Sequence, residues 1–195
     1  FGFFVLSTMT LAVIQTFAPS ILQQLHGVSF EAASMTLSAY MVSAAVGMLV
    51  GGWVAVKKAA YSDRVVAYAM AAGAALLLLC ATSVLGATGT MLGLAATGFA
   101  VGVGGPSRDM MIRKATPASS TGRVYGTVYS GLDVGFALSP LVFGALMDAG
   151  RYQATLAGAA LVLFASVGLA LGVGRLTRRA QTQAQTQTQT PTAVY

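Results

Sequence analysis

The chain has 195 residues, 56% of them apolar and only 8% charged, whereas a soluble domain carries roughly a quarter charged residues, so composition excludes an ordinary water-soluble fold. The net charge of +6 would suggest a polyanion partner in a soluble protein, but here the basic residues lie between apolar runs, where they report membrane topology rather than nucleic acid. One histidine, one cysteine and five acidic residues supply neither an internal disulfide nor a His/Cys metal cluster, and no cofactor is expected.

Phe1 opens directly into an apolar run, with no basic segment or small-residue cleavage signal before it, and the chain therefore reads as a fragment beginning at or within a membrane span. Spans of about 20 apolar residues each are predicted near residues 2–22, 32–56, 65–85, 90–112, 122–147 and 154–176. The runs are continuous rather than alternating, which selects helices over a closed barrel. Short polar separators divide them: Gln23 to Gly27, Lys57 to Arg64, Gly86 to Gly89, Arg113 to Thr121, and Asp148 to Arg151. Pro117 is expected to stop the fourth helix and Thr121 to cap the fifth. After Arg179 a Gln/Thr repeat without apolar periodicity is read as a disordered tail over 180–195, leaving 1–179 as the membrane unit.

Alternating the separators between two faces gathers Lys57, Lys58, Arg64, Arg113, Lys114, Arg175, Arg178 and Arg179 on one side, with Arg108 and Arg123 close to it. Only Arg151 falls on the other. The positive-inside rule makes the basic side cytoplasmic and puts both chain ends there.

A charge in mid-membrane is costly, which makes an ionisable residue there a functional hypothesis. Asp133 lies about 16 Å into the fifth span, near the midplane. Tyr125, Tyr129 and Asp133 follow i, i+4 spacing, with Phe136 and Pro140 on the same stripe, while Gly131, Gly135 and Ser139 form a separate small-residue stripe for close packing. Asp133 has two readings, a proton-coupling or substrate-contacting group, or a structural carboxylate held by a neighbouring helix, with Arg108 the candidate partner. Arg108 and Asp109, near the cytoplasmic end of the fourth span, read either as an ion pair fixing helix positions or as an anion site, and Thr97 lies on roughly the same stripe as Arg108. Gly98, Gly102, Gly104 and Gly105 admit close helix approach or a bend before Pro106. Gln15 and Tyr40 are further polar groups within spans, Trp53 reads as an interfacial anchor, and Cys80 as a small buried residue.

Gly105-Pro106-Ser107-Arg108-Asp109-Met110 to Thr116-Pro117, then Thr121-Gly122-Arg123-Val124-Tyr125-Gly126 and Tyr129 to Gly135, resemble the tenth and eleventh helices of bacterial major facilitator superfamily transporters. The resemblance extends from a first span similar to the seventh helix of that superfamily to Leu176 as the end of the twelfth. Gly131, Gly135, Ser139-Pro140 and Gly144 look like the Gly/Pro-rich motif that antiporters of the superfamily carry in the fifth helix, which implies proton-driven export. Gly51 to Lys57 is similar to the Gly-x-x-x-Asp-Arg loop motif, with Val56 where the acid is expected, and Gly144 to Asp148 echoes the same spacing.

The resemblance implies an all-α membrane protein, the C-terminal six-helix half built from inverted three-helix repeats, in a bacterial inner membrane. It implies secondary active transport of a small molecule, a drug or metabolite, by alternating access, with a missing N-terminal six-helix half as partner and a proton gradient as driving force. Asp133, Tyr129, Tyr125, Gln15 and Thr97 are the candidate pathway residues, and Arg108, Asp109 and Arg123 the candidate gating or interhelical ion pair. A self-contained six-span unit that dimerises into a transporter or channel is the alternative. An intramembrane enzyme is disfavoured, because His26 is the sole histidine and lies on the face opposite Arg108, leaving Ser130 without a base.

Overall fold

Long apolar runs broken by short turns fold as an up-and-down helical bundle. The computed structural model describes residues 1–116 and 121–189, with side chains through residue 172 other than those of Ala115 and Thr121. Its helices are α1 (Gly2–His26), α2 (Phe30–Lys57), α3 (Ser62–Ala81), α4 (Gly86–Ala115), α5 (Thr121–Asp148) and α6 (Tyr152–Gln189), with one 3-10 turn at Ala59–Tyr61 before α3. Among the described residues all six helices are long and apolar enough to cross a membrane, and there are no strands.

The local chemistry explains most boundaries. Gly27 ends α1 in the left-handed region at φ 63°, and the Ser29 hydroxyl then accepts from the Ala32 amide at 3.2 Å to start α2. Thr116 takes the extended backbone at the end of α4, as a residue before proline does. Pro117 and the side chain of Thr121 lie outside the described residues. The α3–α4 turn falls earlier than hydropathy suggests. The helix closes at Ala81, Thr82 donates to the Leu79 carbonyl at 2.7 Å, and Ser83 and Gly86, both at positive φ, reverse the chain. Of the Gly86–Gly89 separator, only Gly86 serves the turn; the rest opens α4. At the far end α6 continues helical through Gln189, beyond the boundary expected at residue 179, because the Ala/Gln/Thr run holds no breaker before Pro191. Residues 190–195 lie outside the described residues.

Two parallel helix crossings fix the bundle. At α2–α4, a Cβ on Gly98 or Gly102 would overlap the carbonyls of Tyr40 and Ala44, and one on Gly47 or Gly51 would overlap those of Phe99 and Val103. At α1–α5, a Cβ on Gly131 would meet the Phe1 carbonyl oxygen at 3.0 Å and one on Gly135 that of Val5 at 2.6 Å. One step further along the same stripe, buried Ser139 donates to the Met9 carbonyl at 3.0 Å. The predicted small-residue stripe of α5 is therefore the surface that packs on α1. The first helix of each three-helix repeat thus clasps the second helix of the other, α1 with α5 and α4 with α2, as inverted repeats require.

The core between them is filled by Val13, Ile14 and Leu22 of α1, Leu77 and Cys80 of α3, Leu94 of α4, Phe143 of α5 and Leu156 of α6. Thr10 ties α1 to α6 through the Ala159 carbonyl at 3.0 Å. Lys114 donates to the Ala59 carbonyl, joining the end of α4 to the α2–α3 turn. At the opposite end of the bundle Gln153 donates to Ser83 at 3.0 Å.

Replacing Gly102 with alanine forces the α2–α4 crossing open and is expected to cost about 1–3 kcal/mol. The buried Cys80 thiol makes unfolding readable with a thiol-reactive dye. The transition is expected to fall for Gly102→Ala and to stay put for Gly122→Ala, where no atom lies within 4 Å of the added methyl; equal transitions would show that the crossing tolerates a Cβ.

Candidate functional site

Close packing of α5 on α1 decides where the other faces of α5 point. With Gly131, Gly135 and Ser139 buried against α1, the side of α5 bearing Asp133, Phe136 and Pro140 is turned away from it and exposed. Asp133 has no hydrogen bond or ion pair among the described residues. Arg108, its candidate partner, is engaged elsewhere.

Tyr125 and Tyr129 do form a stacked pair, with ring centroids 5.7 Å apart and planes 10° from parallel. Tyr129 also leans on Phe4 of α1 at 5.3 Å. Its hydroxyl reaches Asp109 Oδ1 at 3.4 Å, and Arg108 Nε donates to the same oxygen at 3.0 Å. The Arg108 guanidinium lies over the Phe4 ring, 4.8 Å from the centroid. The two expected groups thus merge into one cluster on α1, α4 and α5, at the end of the bundle that carries Lys57 and Lys114. Its ion pair is formed within α4, and the link between helices is the phenol of Tyr129. Arg123 is exposed and joins no pair among the described residues.

The cation is well matched here. The Arg108 side chain is 23% exposed and that of Asp109 45%, so the pair is partly shielded, and the negative ring face of Phe4 offsets further positive charge. Behind it lies an apolar cavity of about 130 Å³ between α1, α4, α5 and α6, lined by Phe3, Met111, Ile112, Val124 and Ala170 among others. α4 and α5 make little direct contact, and the Tyr129–Asp109 contact links them here among the described residues.

The remaining expected residues are dispersed. Gln15 is half-buried in α1 with its amide 4.0 Å from Met41 Sδ of α2, a long contact. Thr97 is fully buried and donates to the Gly93 carbonyl of its own helix at 2.8 Å, so it faces the α2–α3–α4 interior and not the cluster. Tyr40 is buried under α4 against Gly98. Two features escaped sequence reasoning. Phe4 is the aromatic floor of the cluster, hidden in an opening run that reads only as apolar. Thr16, Ser20 and Gln24 form an exposed polar column on α1, and their i, i+4, i+8 spacing was a legible signal. A polar column on a membrane span calls for water or a second protein surface and not for lipid.

A family model described as Major Facilitator Superfamily matches residues 1–194. No curated protein and no solved structure gives a match.

Because the Asp109 side chain is nearly half-exposed, Asp109→Asn is expected to lower stability by only about 1 kcal/mol. Tyr129→Phe keeps the stacking and removes the phenol. A double-mutant cycle on the two should give a coupling of about 0.5–1 kcal/mol; strictly additive losses would mean that the hydroxyl does not hold Asp109.

Proposed function

The chain belongs to the major facilitator superfamily, and from that premise we propose that it forms one half of a proton-coupled antiporter that works by alternating access against a second six-helix half. Membrane transport of a small molecule is what membership supports, in a multi-pass protein with six spanning helices. The observation that carries the finer reading is Asp133, an exposed carboxylate about midway along α5 with no partner among the described residues. Such a residue is stable in a membrane only beside water, a counter-charge or another protein surface.

Exposure elsewhere supports the same surface. α2 and α5 are the two least buried spans, with only 22% of their apolar windows covered. Each has one dominant packing partner, α4 for α2 and α1 for α5. A second half laid across α2 and α5 would enclose Asp133 and the Thr16–Ser20–Gln24 column, giving a pathway with few charges. That suits an amphipathic drug or small metabolite better than a multiply charged solute. The Arg108–Asp109–Tyr129 cluster would then be a gate latch between α4 and α5, breaking and re-forming as the halves rock, with a proton gradient as the driving force. By the positive-inside rule the basic end faces the cytoplasm, and the resemblance to bacterial members points to an inner membrane.

In the complete two-half transporter, Asp133→Asn is expected to reduce pH-gradient-driven flux at least tenfold while leaving the protein folded; unchanged coupled flux would return Asp133 to a structural role. Reconstituted by itself in liposomes, the present chain is expected to carry no vectorial flux. Uptake or efflux by it alone would replace the two-half reading with a self-contained unit that dimerises.

A further inference from the structure

Away from α5, the basic end of the bundle holds a second feature that transport does not explain. Lys57, Lys58 and Arg64 are all exposed where α2 passes through the 3-10 turn into α3. Exposed aromatic side chains interleave with them: Trp53 is 62% exposed, Tyr61 50% and Tyr68 76%. Lys57 Nζ sits 3.9 Å above the Trp53 ring, and the Arg64 guanidinium lies 5.3 Å from the Tyr61 centroid. Together Lys57, Lys58, Tyr61, Arg64 and Tyr68 border a pocket of about 370 Å³. Lys114, bonded to the Ala59 carbonyl of the 3-10 turn, brings a fourth cation to this segment. Asp63 is the one carboxylate in this segment.

This pocket does not end at the surface. Lys58, Val65 and Tyr68 are shared with an open groove of about 510 Å³ that runs between α2 and α3 over α4, past Ala72 and Leu76 on one wall and Phe99 on the floor. Small residues line it, Ala69 and Ala72 on α3 and Ala96 and Ala100 on α4. From Val65 to Leu76 the groove extends about 16 Å along α3, about half of a hydrocarbon core roughly 30 Å thick. Its depth is that of one leaflet.

We propose that the pocket and groove form a site for one anionic phospholipid of the leaflet at the basic end, with the phosphate between Lys58 and Arg64 and an acyl chain along Val65 to Leu76. Charge selects the occupant: four cations against one carboxylate leave a surplus that an anionic headgroup neutralises and a zwitterionic one, bringing its own cation, does not. The joined apolar groove separates a lipid from free phosphate. This inference requires only that the helices span a membrane and holds whether or not Asp133 couples to protons.

Trp53 is the single tryptophan of the chain and stands beside the pocket, so its fluorescence reads occupancy. The full chain in nanodiscs of phosphatidylcholine is titrated with phosphatidylglycerol or phosphatidylcholine brominated on the acyl chain. Half-maximal quenching is expected at a mole fraction at least fivefold lower for the anionic lipid. Lys58→Gln with Arg64→Gln should bring that ratio close to one, while Arg151→Gln, at the opposite end, should leave it unchanged; circular dichroism checks that each variant is folded. Equal quenching by the two lipids, a ratio that survives the double substitution, or full displacement by millimolar glycerophosphoglycerol or inorganic phosphate would each overturn the proposal. So would a Trp53 that neither lipid quenches, the result expected if a second protein surface covers the groove.

Discussion

Glycine set against carbonyl where α2 crosses α4 is the contact on which the rest of the bundle depends. In a bilayer the space between helices gains nothing from excluding lipid, so association rests on close packing and on weak Cα–H···O contacts at short range. Gly98 and Gly102 lie against the carbonyls of Tyr40 and Ala44, while Gly47 and Gly51 return the contact to Phe99 and Val103. The fit is reciprocal, which fixes both rotation and register. α1 and α5 repeat it with Gly131, Gly135 and Ser139 on one helix only, the last contact being a hydrogen bond. Since each second helix is held mainly by one crossing, α2 and α5 keep most of their surface uncovered, and that surface is available for function.

One rotational choice therefore sets two properties of α5. Were the helix turned by a residue, about 100°, the glycine stripe would leave α1 and Tyr129 would lose Phe4 and Asp109 together. Packing and chemistry share the helix by occupying different faces: small residues against α1, Tyr129 between Phe4 of α1 and Asp109 of α4, and the Asp133 carboxylate toward neither. The same division appears on α4, where Gly98 and Gly102 face α2 while Arg108 and Asp109, two turns further on, reach toward α1 and α5.

What the sequence disclosed follows from what repeats along one helix. Continuous apolar length gave six spans, Pro117 implied the end of α4 at the preceding residues, and the four-residue spacing of Gly131, Gly135 and Ser139 identified a packing face. Pairing between helices was not legible, because it depends on crossing points that no single helix encodes. Thr97 shares a stripe with Arg108, yet it lies about 16 Å away along the axis, buried where α4 is surrounded. Phe4 could not be told from its apolar neighbours until α4 brought a guanidinium over its ring. Likewise Val84 and Leu85 are apolar enough to extend α3, but the left-handed backbone at Ser83 turns the chain before them.

The inward placement of Arg108 bears directly on Asp133. A cation drawn into a span must find its compensation nearby, and Arg108 finds it in Asp109 beside it and in the face of Phe4. Tyr129 completes the arrangement by giving its phenol to the same carboxylate oxygen. Once Asp109 is the counter-ion, Asp133 is not needed as one, and no other described cation contacts it. No described residue compensates it, so water, a counter-charge or a facing protein surface has to do so. The α5 face that carries it is therefore the surface on which the proposed transport function depends.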